Sequence, residues 1–335
     1  KMHSLWFLLC LKSMLRYLST NIDPQDLDTE FDEKLVYRFE KLSAIAEKNR
    51  RQDTIHYADG KLYDEMNYIL DELAAIMRNY NSTHRFLRTK GIDRIILPNL
   101  KVDNDELKAR LLILLKVLFD VDPSATIAFI PITMVDRLLH IFEHDNLALK
   151  AHALDNLYNW LPNNPKVQSR VMKLKGLQPF YEQISKLDTN VIKTLLDLFN
   201  KILNEHQIAR SQDNSMILDS ETLQFYQRTG LLEHMSNPKI CNGLLNIFIT
   251  TWSYHTKDNN ILMSVFGLLK NVKPYCAKVY RGTVKAHKLF LALQAYVQMP
   301  ENKQNFISHG FNMTDVTSVV EEYLGHFNYS LKDEF

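Results

Sequence analysis

Two histidines with helical spacing are the pair in this sequence best placed to bind a metal ion. His140 and His144 stand four residues apart, which puts both imidazoles on one face of a helix, and Asp145 follows directly. Two imidazoles and a carboxylate are ligands that zinc accepts. The rest of the twelve histidines are scattered, and Glu143 beside the pair is typical of an exposed helix end. We therefore favour an exposed helix end over a zinc site.

No sequence motif predicts catalysis. The chain lacks both common glycine-rich phosphate-binding patterns, GxGxxG and GxxxxGK(S/T). It also lacks an HExxH motif and a CxxC pair. The 40 basic and 39 acidic residues give a formal net charge of +1, which lacks the basic excess of nucleic-acid-binding proteins. The signs are interspersed, which favours a protein groove over a phosphate groove. We expect no enzyme activity, no cofactor, no metal, no nucleic acid and no membrane span.

Two of the three cysteines can be brought together by the helical pattern. Cys241 and Cys276 bracket two apolar helical patterns, 241–252 and 261–271. If these patterns form an antiparallel hairpin, the start of the first lies near the end of the second, and the sulfurs approach bonding distance. An oxidising compartment would give a disulfide, whereas a reducing one would leave two buried thiols. The sequence leaves both states open, and Cys10 has no counterpart.

The end of the chain predicts where the protein works. Its last four residues are Lys332-Asp333-Glu334-Phe335. They differ by one side chain from the KDEL tetrapeptide that returns soluble proteins to the endoplasmic reticulum (ER). We therefore expect the ER lumen, with an ordinary charged tail as the alternative. Three N-glycosylation sequons agree with that compartment. Their asparagines are Asn81, Asn312 and Asn328.

A unit of about 42 residues repeats along the middle of the chain. Gly91 and Gly176 each stand between two apolar helical patterns, and they are 85 residues, or two units, apart. Thr133 takes the corresponding position between them, and Gly230 marks a fourth copy. At each mark the glycine is expected to end one helix in a left-handed conformation, so that the next helix can turn sharply.

Leucine-rich helical patterns lie between these marks. They cover 107–119, 147–161, 191–203, 243–252 and 261–271. Two or three helices in a unit of about 40–47 residues are typical of armadillo and HEAT repeats. Because one unit cannot bury its own apolar face, stacked units build a common core. The sequence predicts an all-α, armadillo/HEAT-like right-handed superhelical solenoid of about four repeats with flanking capping helices.

The chain divides into three predicted parts. They are an N-terminal helical and acidic segment (1–60, with a possible signal-like start), the repeat domain (61–325) and a C-terminal tail with the retrieval-like signal (326–335). Within the first part we expect an acidic linker at 19–34 and a helix at 34–49. The longer spacing before the fourth copy is assigned to a polar loop at 209–221.

Polar stripes on the last helix of each unit are the candidate binding residues, because this helix normally lines the partner-binding face of such repeats. Residues at three- and four-residue spacing form one stripe in the second unit and one in the third. They are His152, Asp155, Asn156 and Asn159, then Lys193, Asp197, Asn200 and Lys201.

Several stretches agree with one known family in order and spacing. They are 69–73 running to Gly91-Ile92 and 96–100, then 153–162 leading to 172–177, then 221–232, and the Cys241 and Cys276 pair. Together they cover about 60–300 and resemble the armadillo-type nucleotide-exchange factors of heat-shock-seventy chaperones. The similarity is greatest to the ER branch, the Sil-type factors that serve BiP. The chain departs from the family in its first 60 residues, at Thr133 and in its final Phe335.

The resemblance implies a co-chaperone that performs no catalysis. Such a repeat stack is expected to clasp one lobe of the BiP nucleotide-binding domain, to favour its open state and so to promote ADP release. Release would let ATP rebind and would support protein folding and translocation in the ER. The resemblance also implies a monomer with a paired Cys241 and Cys276. The alternatives are a cytosolic armadillo scaffold that binds proteins, or a cytosolic exchange-factor cousin.

Overall fold

The computed structural model describes residues 33–51, 58–174, 176–210, 220–255, 259–308, 310 and 312–330. Throughout these ranges the regular elements are helices, and no β-strand occurs among them. The predicted all-α repeat solenoid is therefore confirmed. Cys10, most of the acidic linker and of the polar loop, and the C-terminal tetrapeptide lie outside the described residues.

The helices of the described ranges are numbered here in chain order. They are α1 (Glu33–Arg51), α2 (Ala58–Ile76), α3 (Tyr80–Arg88), α4 (Leu97–Asn99), α5 (Asp105–Val121), α6 (Pro123–Phe129), α7 (Met134–His144), α8 (Leu147–Trp160), α9 (Pro165–Leu174), α10 (Gln178–Glu182), α11 (Thr189–Arg210), α12 (Ser220–Thr229), α13 (Leu231–Met235), α14 (Pro238–His255), α15 (Asn259–Arg281), α16 (Val284–Gln298), α17 (Pro300–Ser308) and α18 (Met313–Ser330). A π-helical segment, Ile92–Ile96, precedes α4, and a 3-10 turn, Ile184–Lys186, follows α10. None of these helices is by itself long and apolar enough to cross a membrane; α6 and α7, bent by 100°, pass that test only as a pair.

A long helix closes each repeat unit, and these helices pack side by side. The order is α2, α5, α8, α11, α15 and α18, which we call the long-helix row. The helices α5, α8 and α11 begin at residues 105, 147 and 189, so successive units are 42 residues long, as predicted. The next long helix begins only at residue 259. One reason is that the fourth unit contains the 18-residue α14 where the third contains the five-residue α10.

The same type of cap begins three helices of the long-helix row. The side chains of Asn104, Asn146 and Asp188 each accept a hydrogen bond from the backbone N–H three residues further on, at 2.8, 3.0 and 2.9 Å. Short polar side chains at this position satisfy donors that a helix start leaves without an intrahelical partner. Because the three caps share the 42-residue spacing, the repeat is visible in polar residues as well as in leucines.

Two buried lysines each link one unit to the following unit. Lys108 on α5 and Lys150 on α8 share the 42-residue spacing and keep only 8% and 5% of their surface exposed. The Nζ atom of Lys108 lies 2.9 Å from Asp145 Oδ2. The Nζ atom of Lys150 donates to the Phe142 carbonyl at 2.6 Å and to Gln183 Oε1 at 3.2 Å. Burial lowers the pKa of Lys150, whose ammonium is held by neutral oxygens.

The glycines that mark the units are of two kinds. Gly176 and Gly230 have φ angles of +63° and +62°, so both adopt the predicted left-handed conformation. Gly91 is right-handed, with φ of −56°, and the left-handed residue is Lys90, with φ of 60°. A Cβ atom at Gly91 would lie 2.3 Å from the Phe86 ring. The left-handed prediction is therefore wrong at Gly91, where a close approach of an aromatic ring requires the glycine.

The first described helix is part of the packed body. It covers the predicted helix at 34–49, packs on α2 and buries Val36 and Phe39 completely. Since α2 itself begins at Ala58, the boundary predicted at residue 60 falls inside this packed pair.

At the other end of the long-helix row, α16 and α17 pack against α18. The hydroxyl of Tyr323 on α18 donates to the Leu269 carbonyl of α15 at 2.8 Å. Phe290 of α16 stacks on Tyr323 with the ring centres 4.2 Å apart. Because α18 extends to Ser330, the tail predicted at 326–335 begins within a helix.

Candidate protein-binding surface

The polar stripe predicted on α8 is only partly at the surface. His152, Asp155 and Asn159 are half-buried, but Asn156 is 0% exposed. Its Nδ2 atom donates to the Leu112 carbonyl of α5 at 3.0 Å and to the His152 carbonyl at 2.8 Å. The expectation that Asn156 lies on an exposed stripe is wrong, because α8 turns this position toward α5.

Two nominated residues of α11 bond to the neighbouring long helix. The Asp197 carboxylate accepts a hydrogen bond from the Ser264 hydroxyl of α15. Asn200 donates from Nδ2 to the Ser264 carbonyl at 3.0 Å and accepts at Oδ1 from Asn271 Nδ2 at 3.0 Å. The two helices come close at Gly267, where a Cβ atom would lie 3.3 Å from Asn200 Nδ2. The sequence placed both residues on a free stripe, whereas their polar groups join α11 to α15.

The two nominated lysines of α11 reach the surface. The Lys193 side chain is 42% exposed, with its Nζ atom 3.5 Å from Asp197 Oδ2. Lys201 is exposed, and its Nζ atom lies 3.8 Å from the centre of the Tyr158 ring on α8. A cation in this position is attracted to the face of the ring. The nominated residues that remain accessible form what we call the central face: His152, Asp155, Asn159, Lys193 and Lys201.

The cysteines of the fourth unit are bonded to each other. Cys241 on α14 and Cys276 on α15 form a disulfide with Cα atoms 5.3 Å apart, and both residues are fully buried. The Tyr280 hydroxyl, one turn after Cys276, donates to the Cys241 carbonyl at 3.0 Å. Of the two states that the sequence left open, the structure has the bonded one.

The histidine pair lies at the end of α7. The rings of His140 and His144 are 4.6 Å apart, and burial, with a smaller contribution from His144, lowers the pKa of His140. Asp145, the third ligand considered, is bonded instead to Lys108. Among the described residues no three His, Cys, Asp or Glu side chains come together in a way that could hold a metal ion.

The glycosylation sequons fall at different kinds of position. Asn81 is exposed in the first turn of α3, and Asn312 is exposed just before α18. The Thr83 hydroxyl of the first sequon is buried and donates to the Met77 carbonyl at 2.5 Å. Asn328 lies within α18.

A buried polar cluster joins the third and fourth units, and sequence reasoning missed it. The Gln168 side chain on α9 contacts His206 Nε2 at 2.8 Å and donates to Glu205 Oε2 at 2.8 Å. The Tyr226 hydroxyl on α12 donates to the same carboxylate oxygen at 3.1 Å. Burial lowers the pKa of His206 to about 4 and raises the pKa of Glu205. His206 is therefore neutral near pH 7, and the cluster holds helices of two units together.

Comparison with known proteins finds only distant likeness to solved structures. No family model matches the sequence, and no curated protein matches it. A designed armadillo repeat protein in complex with the peptide (KR)4 is 11% identical, with a TM-score of 0.48 over 79% of this chain and 94% of that one. Two engineered proteins are 15% and 12% identical, with TM-scores of 0.43 and 0.45 over 86% and 87% of this chain and 98% and 97% of theirs. At these identities and TM-scores nothing about the partners of those proteins carries over.

Proposed function

We propose that this chain is an adenyl-nucleotide exchange factor that binds the nucleotide-binding domain of BiP, the heat-shock-seventy chaperone of the ER, and promotes ADP release. The observation that carries the proposal is the central face, an accessible mixed-charge surface on a stack of helical repeats. The agreement of 69–100, 153–177 and 221–232 with the exchange-factor family in order and spacing adds to it. The central face would contact one lobe of the chaperone domain.

Exchange by this route depends on differential binding. The factor accelerates release only if it binds the open chaperone domain more tightly than the closed one, and ADP must then weaken the factor by the same ratio. A rigid binding surface suits this task. A surface that adapts to both the open and the closed chaperone domain would bind them equally well and would not shift the equilibrium between them. Asn156 and Asn200 supply such stiffness, since their side-chain amides bond α8 to α5 and α11 to α15.

Two features support the ER lumen as the place of action. The Cys241–Cys276 disulfide is a bond that persists in oxidising compartments. Asn81 and Asn312 are accessible to a glycan, which only a secretory-pathway protein receives. These features favour the lumen over the cytosol.

The deciding experiment is stopped-flow release of a fluorescent ADP analogue from purified BiP, with and without the full chain. We expect the release rate to rise with the concentration of the chain and to saturate. The same experiment with a cytosolic heat-shock-seventy chaperone distinguishes the ER factor from a cytosolic cousin. No acceleration of either chaperone by a folded, monodisperse chain would overturn the proposal and leave the protein-binding scaffold as the function to pursue.

A further inference from the structure

Acidic residues are nearly absent from a long part of the C-terminal half. Between Glu233 and Glu301 the sequence contains one acid, Asp258, against eight lysines and arginines. The chain as a whole is balanced, so the signs are segregated here rather than interspersed. This segment forms α14, α15 and α16. These three helices therefore carry a concentrated positive charge.

Ion pairs within the protein neutralise only part of this positive charge. On α15, Lys270 Nζ lies 3.1 Å from Asp315 Oδ2 of α18, and Lys273 pairs with Glu322 of the same helix. Four other lysines are exposed and form no ion pair with any residue that the structure describes. They are Lys239, Lys278, Lys285 and Lys288.

Three of these lysines, Lys239, Lys285 and Lys288, line two adjoining cavities along α14, which together form one groove. Residues of α14 line both halves, with α10 beside the first half and α16 beside the second. Asn246 and Thr250, one turn apart on α14, line both of its halves, which hold about 730 and 450 Å³ of solvent-accessible space. Lys239 borders the first half, and Lys285 and Lys288 border the second. We call it the basic groove.

The groove also has an apolar strip. Ile249, Trp252 and Leu289 line its second half, and the Trp252 ring packs edge-on against Tyr296 with centres 5.1 Å apart. In the first half the Tyr181 ring lies over Gly243. The acid lining it there, Glu182, accepts a hydrogen bond from Gln178 at 2.6 Å. The basic groove therefore combines aromatic and aliphatic surface with three unpaired ammonium groups.

We propose that the basic groove binds an acidic segment of a partner protein, one whose carboxylates alternate with large apolar side chains. The three ammonium groups provide charge complementarity and orientation, and the apolar strip provides buried contact area. The phosphate backbone of a nucleic acid would pair with the lysines but would not bury the apolar strip. A polypeptide can do both, which favours a polypeptide as the occupant. The groove lies on α10, α14 and α16, whereas the central face lies on α8 and α11, so the two surfaces share no helix.

The test uses the full chain, whose three tryptophans are Trp6, Trp160 and Trp252, with Trp252 as the reporter. Trp252 lines the groove, whereas Trp160 is buried elsewhere on α8. The probe is a 16-residue synthetic peptide in which Glu and Asp alternate with Leu and Phe, and its control carries Gln and Asn in place of the acids. We expect a saturable fluorescence change with the acidic probe, absent in Trp252→Phe although anisotropy of a labelled probe still reports binding.

Charge variants decide whether the site is the groove. We expect K239E/K285E/K288E to weaken probe binding at least tenfold, and K48E/K61E/K173E, which makes the same charge change at exposed lysines elsewhere, to leave it unchanged. The groove variant should keep its effect on ADP release, so failure of this inference is distinguishable from failure of the proposed function. Equal binding by the groove variant or by the neutral probe would overturn the proposal.

Other occupants are separate outcomes of the same experiments. Phosphatidylserine vesicles or polyuridylate that bind the unaltered chain, and lose binding in K239E/K285E/K288E while the peptide does not, would overturn the peptide assignment. A dimer in sedimentation that the same substitutions dissociate would give the groove to a second copy of this chain and would likewise overturn it.

Discussion

The Lys201 ammonium of α11 lies 3.8 Å from the centre of the Tyr158 ring of α8, so one side chain spans two neighbouring long helices. Lys193, two turns earlier on α11, has no such support and is 42% exposed beside Asp197. Of the two lysines of the central face, Lys201 is positioned by the Tyr158 ring and Lys193 only by the Asp197 carboxylate. Both charges remain available to a bound partner.

Reversing both lysines should weaken chaperone binding. In Lys193→Glu/Lys201→Glu we expect the affinity for nucleotide-free BiP to fall about tenfold, because two attractive charges become repulsive ones. Calorimetric titration measures the affinity, and K48E/K61E serves as the charge-matched control. An unchanged affinity, with an unaltered melting curve, would remove both lysines from the site.

Asn156 and Asn159 should respond differently to the same truncation. In Asn156→Ala the buried Leu112 carbonyl loses its side-chain donor, and we expect the free energy of unfolding to fall by about 1–3 kcal/mol. In Asn159→Ala a half-buried side chain is removed, and we expect a change within about 0.5 kcal/mol. Urea unfolding followed by circular dichroism compares them; equal losses would contradict the role given to Asn156.

The disulfide should stabilise the fourth unit. Cys241 and Cys276 are 35 residues apart in sequence, and closing a loop of this size is worth about 2–4 kcal/mol. We expect Cys241→Ala/Cys276→Ala to lose that much stability and to become insensitive to dithiothreitol. Cys10→Ala is the matched control and should unfold as the unaltered chain does. A reductant that leaves the melting temperature of the unaltered chain in place would show that the bond contributes nothing.

His206 should make stability depend on acid. Its pKa is about 4 in the folded chain against an ordinary value near 6.5, so the unfolded chain binds the proton more readily. Stability is therefore lost as pH falls below 6.5, and the His206 share of the loss between pH 7 and 5 is about 2 kcal/mol. The raised pKa of Glu205 acts in the opposite direction, since its contribution is lost as pH rises.

Two variants separate these contributions. In His206→Gln we expect the drop in unfolding free energy between pH 7 and 5 to shrink by about 2 kcal/mol, and in Glu205→Gln we expect it to grow. Arg210, the further charged group that acts on His206, is unchanged in both variants. The same pH dependence in His206→Gln and the unaltered chain would refute the assignment.

Local pattern was sufficient to predict the repeat. Leucine spacing predicted the helices and the 42-residue period. The cap residues Asn104, Asn146 and Asp188 repeat with the same period, so the sequence contains a second, polar signal of the repeat. Gly176 and Gly230 followed from backbone chemistry alone. Gly91 did not, because its requirement comes from the Phe86 ring, and whether that ring folds back over the next turn depends on packing.

The binding surface was harder to predict, because it depends on the rotation of each long helix about its axis. A polar stripe at helical spacing fits Asn156 and Asn159 equally well, yet packing against α5 buries one and leaves the other accessible. The basic groove was not predicted from the sequence for another reason. The net charge of +1 averages the whole chain and conceals an almost acid-free stretch between Glu233 and Glu301.

Because the buried lysines Lys108 and Lys150 recur at the 42-residue spacing, one whole unit could be removed between equivalent positions of the repeat. Excising residues 105–146 would join Asn104 to Leu147, so Asn104 would inherit the cap of Asn146 while Lys150 kept its contact with Gln183. The helix cap and the contact between Lys150 and Gln183 would be retained, whereas Lys150 would lose the Phe142 and Glu143 carbonyls, which the excised segment supplies. A gene encoding such a chain can gain or lose one whole unit by recombination between copies, and the length of the protein becomes something that evolution can vary in steps.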